Sequence, residues 1–122
     1  MKLGWRCWLI AGGLLLLGAG APLRAASAQG QKFFAYNTTT RTDFTGVYMA
    51  PAGTENWGPN QALNDKDKSL DSGERLTLTG LAPATYSVKL VDRSGRTCML
   101  QRVDLAKDNS FEIRDNQLSD CK

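Results

Sequence analysis

The chain contains no histidine in its 122 residues. The commonest general base is therefore missing, and Ser-His-Asp and Cys-His nucleophilic machinery is excluded outright. Cysteine is scarce as well, at Cys7, Cys98 and Cys121. Without histidine, so few sulfurs leave a structural zinc site short of ligands. No two basic residues are adjacent, so the concentrated positive patch that marks nucleic-acid binding is absent. Long apolar runs are lacking too. The best, Trp8 to Ala21, has 14 uncharged residues, four of them glycine, and falls short of the ~20 that a membrane-spanning helix needs.

That short run has a different meaning in its setting. Lys2 and Arg6 precede it as a basic n-region, and Ala26-Ser27-Ala28 places small residues where a signal peptidase reads. Together these predict a cleaved signal peptide helix over residues 1–28, with the mature chain beginning at Gln29. No twin arginine is present, which favours the general export route. Cys7 stands before the apolar run and not at its end, unlike the acylated cysteine of a lipoprotein.

Removing the presequence also removes the net charge. Lys2, Arg6 and Arg24 account for the whole excess, and taking these 3 from 15 leaves 12 basic residues against 12 acidic ones. The mature chain is expected to have neither a nucleic-acid partner nor, once the presequence is cut, a membrane one. Taking 28 residues from 122 leaves 94, a single small domain over residues 29–122 that buries only ~60 to 65% of its unfolded surface. Such a domain benefits from a cross-link. Cys98 and Cys121 are the two cysteines that remain, and in an exported chain that pair reads as one disulfide tying down the tail.

The mature sequence is patterned in short strands. Phe33 to Tyr36 reads as the first and Thr42 to Ala50 as the second, ended by Pro51, which cannot donate to a ladder. From Gly73 the alternation is clearest: Leu76 and Leu78 share one face, and Tyr86, Val88 and Leu90 share another beyond a Gly-Leu-Ala-Pro-Ala corner. These two segments are expected to pair as a hairpin. Asp92-Arg93-Ser94-Gly95 is a tight turn into a returning strand, Arg96 to Leu105. In that strand the apolar phase slips between Leu100 and Val103, which predicts a β-bulge at Gln101 and Arg102. Phe111 and Ile113 mark a last strand before a polar tail. With no helical period longer than a turn, the expectation is all-β: a small antiparallel β-sandwich of six or seven strands.

The segment Leu76 to Gly95, LTLTGLAPATYSVKLVDRSG, resembles the L-x-G-L-x-P-G-x-Y-x-V signature of prealbumin-like sandwich modules. Those modules include carboxypeptidase regulatory-like and collagen-adhesin B-type domains. Ala84 stands where they usually carry glycine. A wider pattern joins Val47-Tyr48-Met49-Ala50-Pro51 to Trp57-Gly58-Pro59-Asn60 and Tyr86-Ser87-Val88-Lys89. It is similar to small exported bacterial proteins with a VYxSPxxxxxWGxN segment. The resemblance implies export and a sandwich, and no activity.

Between the second strand and Gly73, residues 51–71 run for 21 positions without a period. Loops of more than ~12 to 15 residues in compact domains tend to be functional or disordered, and Trp57 argues against disorder because an indole gains by packing. Trp57, Tyr48 and Asn60 are the candidate contact residues, with burial in the domain as the alternative for the aromatics. Oxygen ligands recur from Asp65 to Asp71, but Leu70 and Leu76 stand where a calcium loop needs glycine and glutamate, so a solvated loop is the better reading. Asn37-Thr38-Thr39 matches a glycosylation acceptor by chance. Asp43, Glu55, Asp92, Asp104 and Glu112 lack an apolar setting that would raise a carboxyl pKa. The sequence thus points to a non-catalytic secreted or periplasmic binding or accessory module, without metal or cofactor, whose partner is a protein or a glycan. A structural envelope-associated scaffold is the alternative, and a carboxylate-based hydrolase the third reading.

Overall fold

Strand β1 (Phe33–Asn37) owes its central place to Phe33 and Ala35, which turn inward and are essentially inaccessible, while Phe34 and Tyr36 turn out. The computed structural model describes residues 31–122, with Lys32–Lys122 as one compact unit. The presequence read over residues 1–28 lies outside the described residues. Five further strands follow: β2 (Phe44–Pro51), β3 (Arg75–Leu78), β4 (Thr85–Asp92), β5 (Thr97–Asp104) and β6 (Ser110–Ile113). They form two three-stranded sheets, ordered β3-β1-β6 and β2-β4-β5. The expected small all-β sandwich is the observed one, with six strands.

The core lies between the sheets. Leu76, Leu78 and Ile113 from the first sheet meet Val47, Val88 and Leu90 from the second, all at 1% exposure or less. Each such side chain contributes about 1.5 to 3 kcal/mol relative to an exposed one. The alternation along β3 and of Tyr86, Val88 and Leu90 on β4 follows from the pleat, which sends successive side chains to opposite faces, although Ser87 on the outer face is buried as well.

Two pairings depart from expectation. Strands β3 and β4 do not form a hairpin: β3 pairs with β1 and β4 with β2 and β5, so the intervening corner crosses from one sheet to the other. Gly80 supplies a positive φ of 73° there, a conformation natural to glycine. The Tyr86 hydroxyl then donates to the Ala82 carbonyl at 2.6 Å and holds the corner shut. The second departure is that β1 and β6 run parallel, from Phe34 opposite Ser110 to Asn37 opposite Ile113. The sandwich is therefore mostly, and not wholly, antiparallel.

The β4–β5 hairpin and the bulge are where the sequence places them. Gly95 has φ of 91° in the turn. Tyr86 and Val88, two residues apart on β4, face Val103 and Leu100, three apart on β5, so Gln101 and Arg102 take up the extra residue.

Both edges of the β2-β4-β5 sheet are covered. At the β2 edge, Gly58 N–H donates to the Met49 carbonyl at 2.9 Å, and Phe44 exchanges two backbone bonds with Leu70. At the β5 edge the tail takes the place of a fourth strand: Met99 exchanges backbone bonds with Ser119, and Thr97 with Lys122. The Cys98–Cys121 disulfide, at 2.02 Å between sulfurs, locks that tail in place. Asp120 adopts a positive φ of 51° beside it, which a short polar side chain tolerates.

Candidate functional site

Antiparallel register fixes which residues share the solvent face of the β2-β4-β5 sheet. Tyr48 on β2 is opposite Lys89 on β4, and Lys89 is opposite Met99 on β5. These three form a row across the outer face, since directly opposed residues point the same way. All three are partly buried.

The row takes its shape from a glycine. Gly46 lies two residues before Tyr48 on the same face, and a Cβ built there would come within 2.9 Å of Tyr48 Cε2 and 3.1 Å of Val91 Cβ. The missing side chain lets the phenol ring lie down over the strand. Lys89 Nζ then sits 4.9 Å from the Tyr48 ring centroid and 4.9 Å from that of Trp57. Both contacts are within the ~6 Å range of cation–π attraction. The ammonium is held between two aromatic side chains, outside the core cluster of the sandwich.

Trp57 reaches this position because its loop is pinned on both sides. Its own N–H donates to the Glu55 carbonyl at 2.9 Å, and the next residue is stitched to Met49. Beyond it, Asn60 caps a 3-10 helix, Gln61–Asn64, that packs between β2 and β3. Asn60 Oδ1 accepts from Val47 N–H and Ala62 N–H, both at 3.0 Å, and Nδ2 donates to the Thr45 carbonyl at 2.9 Å. Its side chain is thereby committed to holding the loop on β2, and the set of outward-facing candidates narrows to Trp57 and Tyr48. Gln61 performs the same service for β3, donating to the Thr79 carbonyl and accepting from Thr79 N–H. Ala62 drops into the core. Residues 51–71 are thus an ordered strap across the open side between the sheets, which sequence periodicity does not show.

Two depressions of about 450 and 400 Å³ flank the indole and share Glu55, Trp57 and Met99 as lining. The first adds Ser87, Gln101 and Arg102, and the second adds Lys89, Asp120 and Lys122. Both tail residues arrive there through the disulfide. Sequence reasoning missed Lys89, Met99 and Arg102, because their juxtaposition depends on strand register and on the bulge.

The other motifs resolve differently. Asn37 is 1% exposed. Its amide donates to the Thr42 and Leu70 carbonyls and its oxygen accepts from Thr39, so it presents nothing for glycosylation. Asp67, Asp71 and Glu74 gather within 4.8 Å of one another, whereas Asp65 turns instead to the Asp67 N–H. Asp71 is engaged by Arg93 and Ser69, and Glu74 accepts from the Asp71 N–H. Of the five carboxylates weighed from sequence, Asp43 pairs with Arg93 and Glu112 with Arg114, while Asp104 caps its own turn through the Ala106 N–H. Asp92 is held below the ordinary carboxylate range, above all by the Ser94 hydroxyl and also by the Arg96 and Ser94 N–H groups. A carboxyl that stays ionised is poorly suited to act as a general acid at neutral pH.

Comparison with protein-family models, with curated proteins and with solved structures finds no match to this chain.

Proposed function

We propose that this chain is a non-catalytic binding or accessory module that works outside the cytoplasm, and that its contact surface is the outer face of the β2-β4-β5 sheet. The observation that carries the reading is the placement of Trp57 and Tyr48. Both side chains bracket Lys89 on the solvent side of the sheet and neither belongs to the core cluster. Aromatic residues held rigid at a surface are favoured contact residues, because they offer area at low cost in side-chain entropy. The Cys98–Cys121 disulfide fits an oxidising compartment. Among the described residues no helix is long and apolar enough to cross a membrane.

The test compares the protein with its Trp57→Ala variant in affinity capture from envelope and culture medium. Gly58 and Asn60 anchor the loop independently of the indole, so the variant is expected to keep its melting temperature and lose its partner. A variant that melts early and captures the same partner at low temperature would favour the structural, envelope-associated scaffold.

A further inference from the structure

The strap and the tail decide how the outer face can be read. On β2, Val47 N–H and the Thr45 carbonyl are taken by Asn60, and the Met49 carbonyl by Gly58. On β5, Thr97 and Met99 are taken by Lys122 and Ser119. Strand β4 lies between the two and is paired on both sides. Among the described residues the backbone groups at these positions are already paired, so an extended peptide finds little beside Tyr48, Lys89 and Met99 to add itself to as a further strand. A ligand on this part of the face is recognised chiefly by side chains.

Those side chains have a definite chemistry. Trp57 stands between the two depressions as a flat apolar plate. Around it are polar groups that a hydroxyl can bond: the Thr97 hydroxyl and the side-chain carbonyl oxygen of Gln101, whose amide nitrogen is given to Asp120, while the buried Ser87 hydroxyl is given to the Gln101 backbone carbonyl. Lys89, Arg102 and Lys122 outnumber Glu55 and Asp120 along the two depressions, and Asp120 is already engaged by the Gln101 amide at 3.2 Å. Among the described residues, none of the three cations forms an ion pair. Lys89 is the most constrained of them, because two rings fix its ammonium on the sheet.

We propose that this face binds a linear anionic glycan, with a pyranose ring against Trp57 and its carboxylates directed to Lys89, Arg102 and Lys122. The assignment rests on the contact face proposed above. A sugar ring presents an apolar C–H face that matches the indole, and its hydroxyls match the surrounding polar groups. A carboxylate gains a charge-assisted bond from an ammonium whose position is already fixed.

The experiment is isothermal titration calorimetry of the whole chain against tetrasaccharides of galacturonic acid and of mannuronic acid, with the neutral galactose tetrasaccharide as control. At least one uronate should bind, and the neutral sugar at least about tenfold more weakly. Trp57→Ala and Lys89→Met should each weaken uronate binding by about tenfold or more. Raising salt from about 50 to about 500 mM should weaken uronate binding and leave any neutral binding unchanged. A circular dichroism melt of each variant checks that the fold is intact. Failure of both uronates, equal binding of the neutral sugar, or insensitivity to both Trp57→Ala and Lys89→Met overturns the glycan assignment. If capture from envelope still depends on Trp57 in that case, the glycan falls and the contact face stands.

Discussion

Removing the Cys98–Cys121 cross-link tests how much of the small sandwich depends on its tail. The cysteines are 23 positions apart, so the bond closes a loop of 24 residues. The chain-entropy relation then gives about 3.4 kcal/mol at 25 °C. That figure is a ceiling. In a reduced protein the tail retains the backbone bonds to Thr97 and Met99, the side-chain bonds of Ser119 to Met99 and of Asp120 to Gln101, and the packing of Leu118 against the core, and any fraying returns entropy to the folded state as well. A loss of about 2 to 3.4 kcal/mol is expected, against a total of 5 to 15 kcal/mol for a typical domain. At about 4 to 8 °C per kcal/mol for a domain of this size, the melting temperature should fall by roughly 10 to 25 °C. The assay is thermal unfolding by circular dichroism of the oxidised protein, the reduced protein and the Cys98→Ala/Cys121→Ala double variant. Agreement between the last two separates the cross-link from side effects of the reductant. A fall of less than about 3 °C in both, with two thiols alkylatable after reduction, would refute the reasoning.

Other perturbations probe the strap, the aromatic row, the corner and the turn. Asn60→Ala removes the acceptor of two backbone N–H groups and should cost about 2 to 3 kcal/mol in denaturant unfolding; an unchanged midpoint would show that the strap is not held from this residue. Gly46→Ala would ordinarily favour a strand by about 0.5 to 1 kcal/mol, but the new Cβ would lie 2.9 Å from the Tyr48 ring, so the net effect should be a loss of about 1 kcal/mol with Tyr48 displaced in the NMR spectrum. Tyr86→Phe deletes the bond to the Ala82 carbonyl and should cost about 1 kcal/mol by the same denaturant measurement. For Asp92, whose folded pKa is depressed, the linked stability is present above the unfolded pKa of ~3.9 and is lost as pH falls through the folded value. NMR titration should place its carboxyl below the ordinary range, and Ser94→Ala should raise it.

The sequence discloses those parts of the fold whose causes are local. The bulge is legible because an extra residue shifts the apolar phase between Leu100 and Val103 at the very place where the register slips. The β4–β5 turn is legible because Gly95 supplies the conformation that the turn needs. Alternation along Leu76–Leu78 and Tyr86–Leu90 reports which face each residue takes, but the pleat is blind to the identity of the neighbouring strand. A corner that crosses between sheets and a hairpin therefore read alike, and they differ only in the pairing of β3 with β1 and of β4 with β2 and β5. The parallel β1–β6 pairing joins residues 76 positions apart, as Phe34 and Ser110 are, and leaves no local mark. Within the strap, Asn60 before Gln61-Ala62-Leu63 carries the signal of a helix N-cap. Reading it as such assigns the residue to the fold.

The candidate face depends on devices from four separate parts of the chain. Gly46 makes room for Tyr48, the bulge brings Arg102 to the depression beside Ser87, Asn60 and Gly58 aim Trp57, and the disulfide delivers Asp120 and Lys122. Two of them serve the core as well, since the bulge turns Val103 and Leu105 inward and Asn60 holds the strap that delivers Ala62, but neither the bare Gly46 position nor the pair of rings around Lys89 adds a side chain to it. A sandwich needing only stability could fill the Gly46 position and expose lysine without a ring on either side. Packing explains the interior, but it leaves the ordered arrangement on the outside unaccounted for. Recognition supplies a physical reason for it, because an aromatic plate and an ammonium fixed in advance lose little entropy when a ligand arrives.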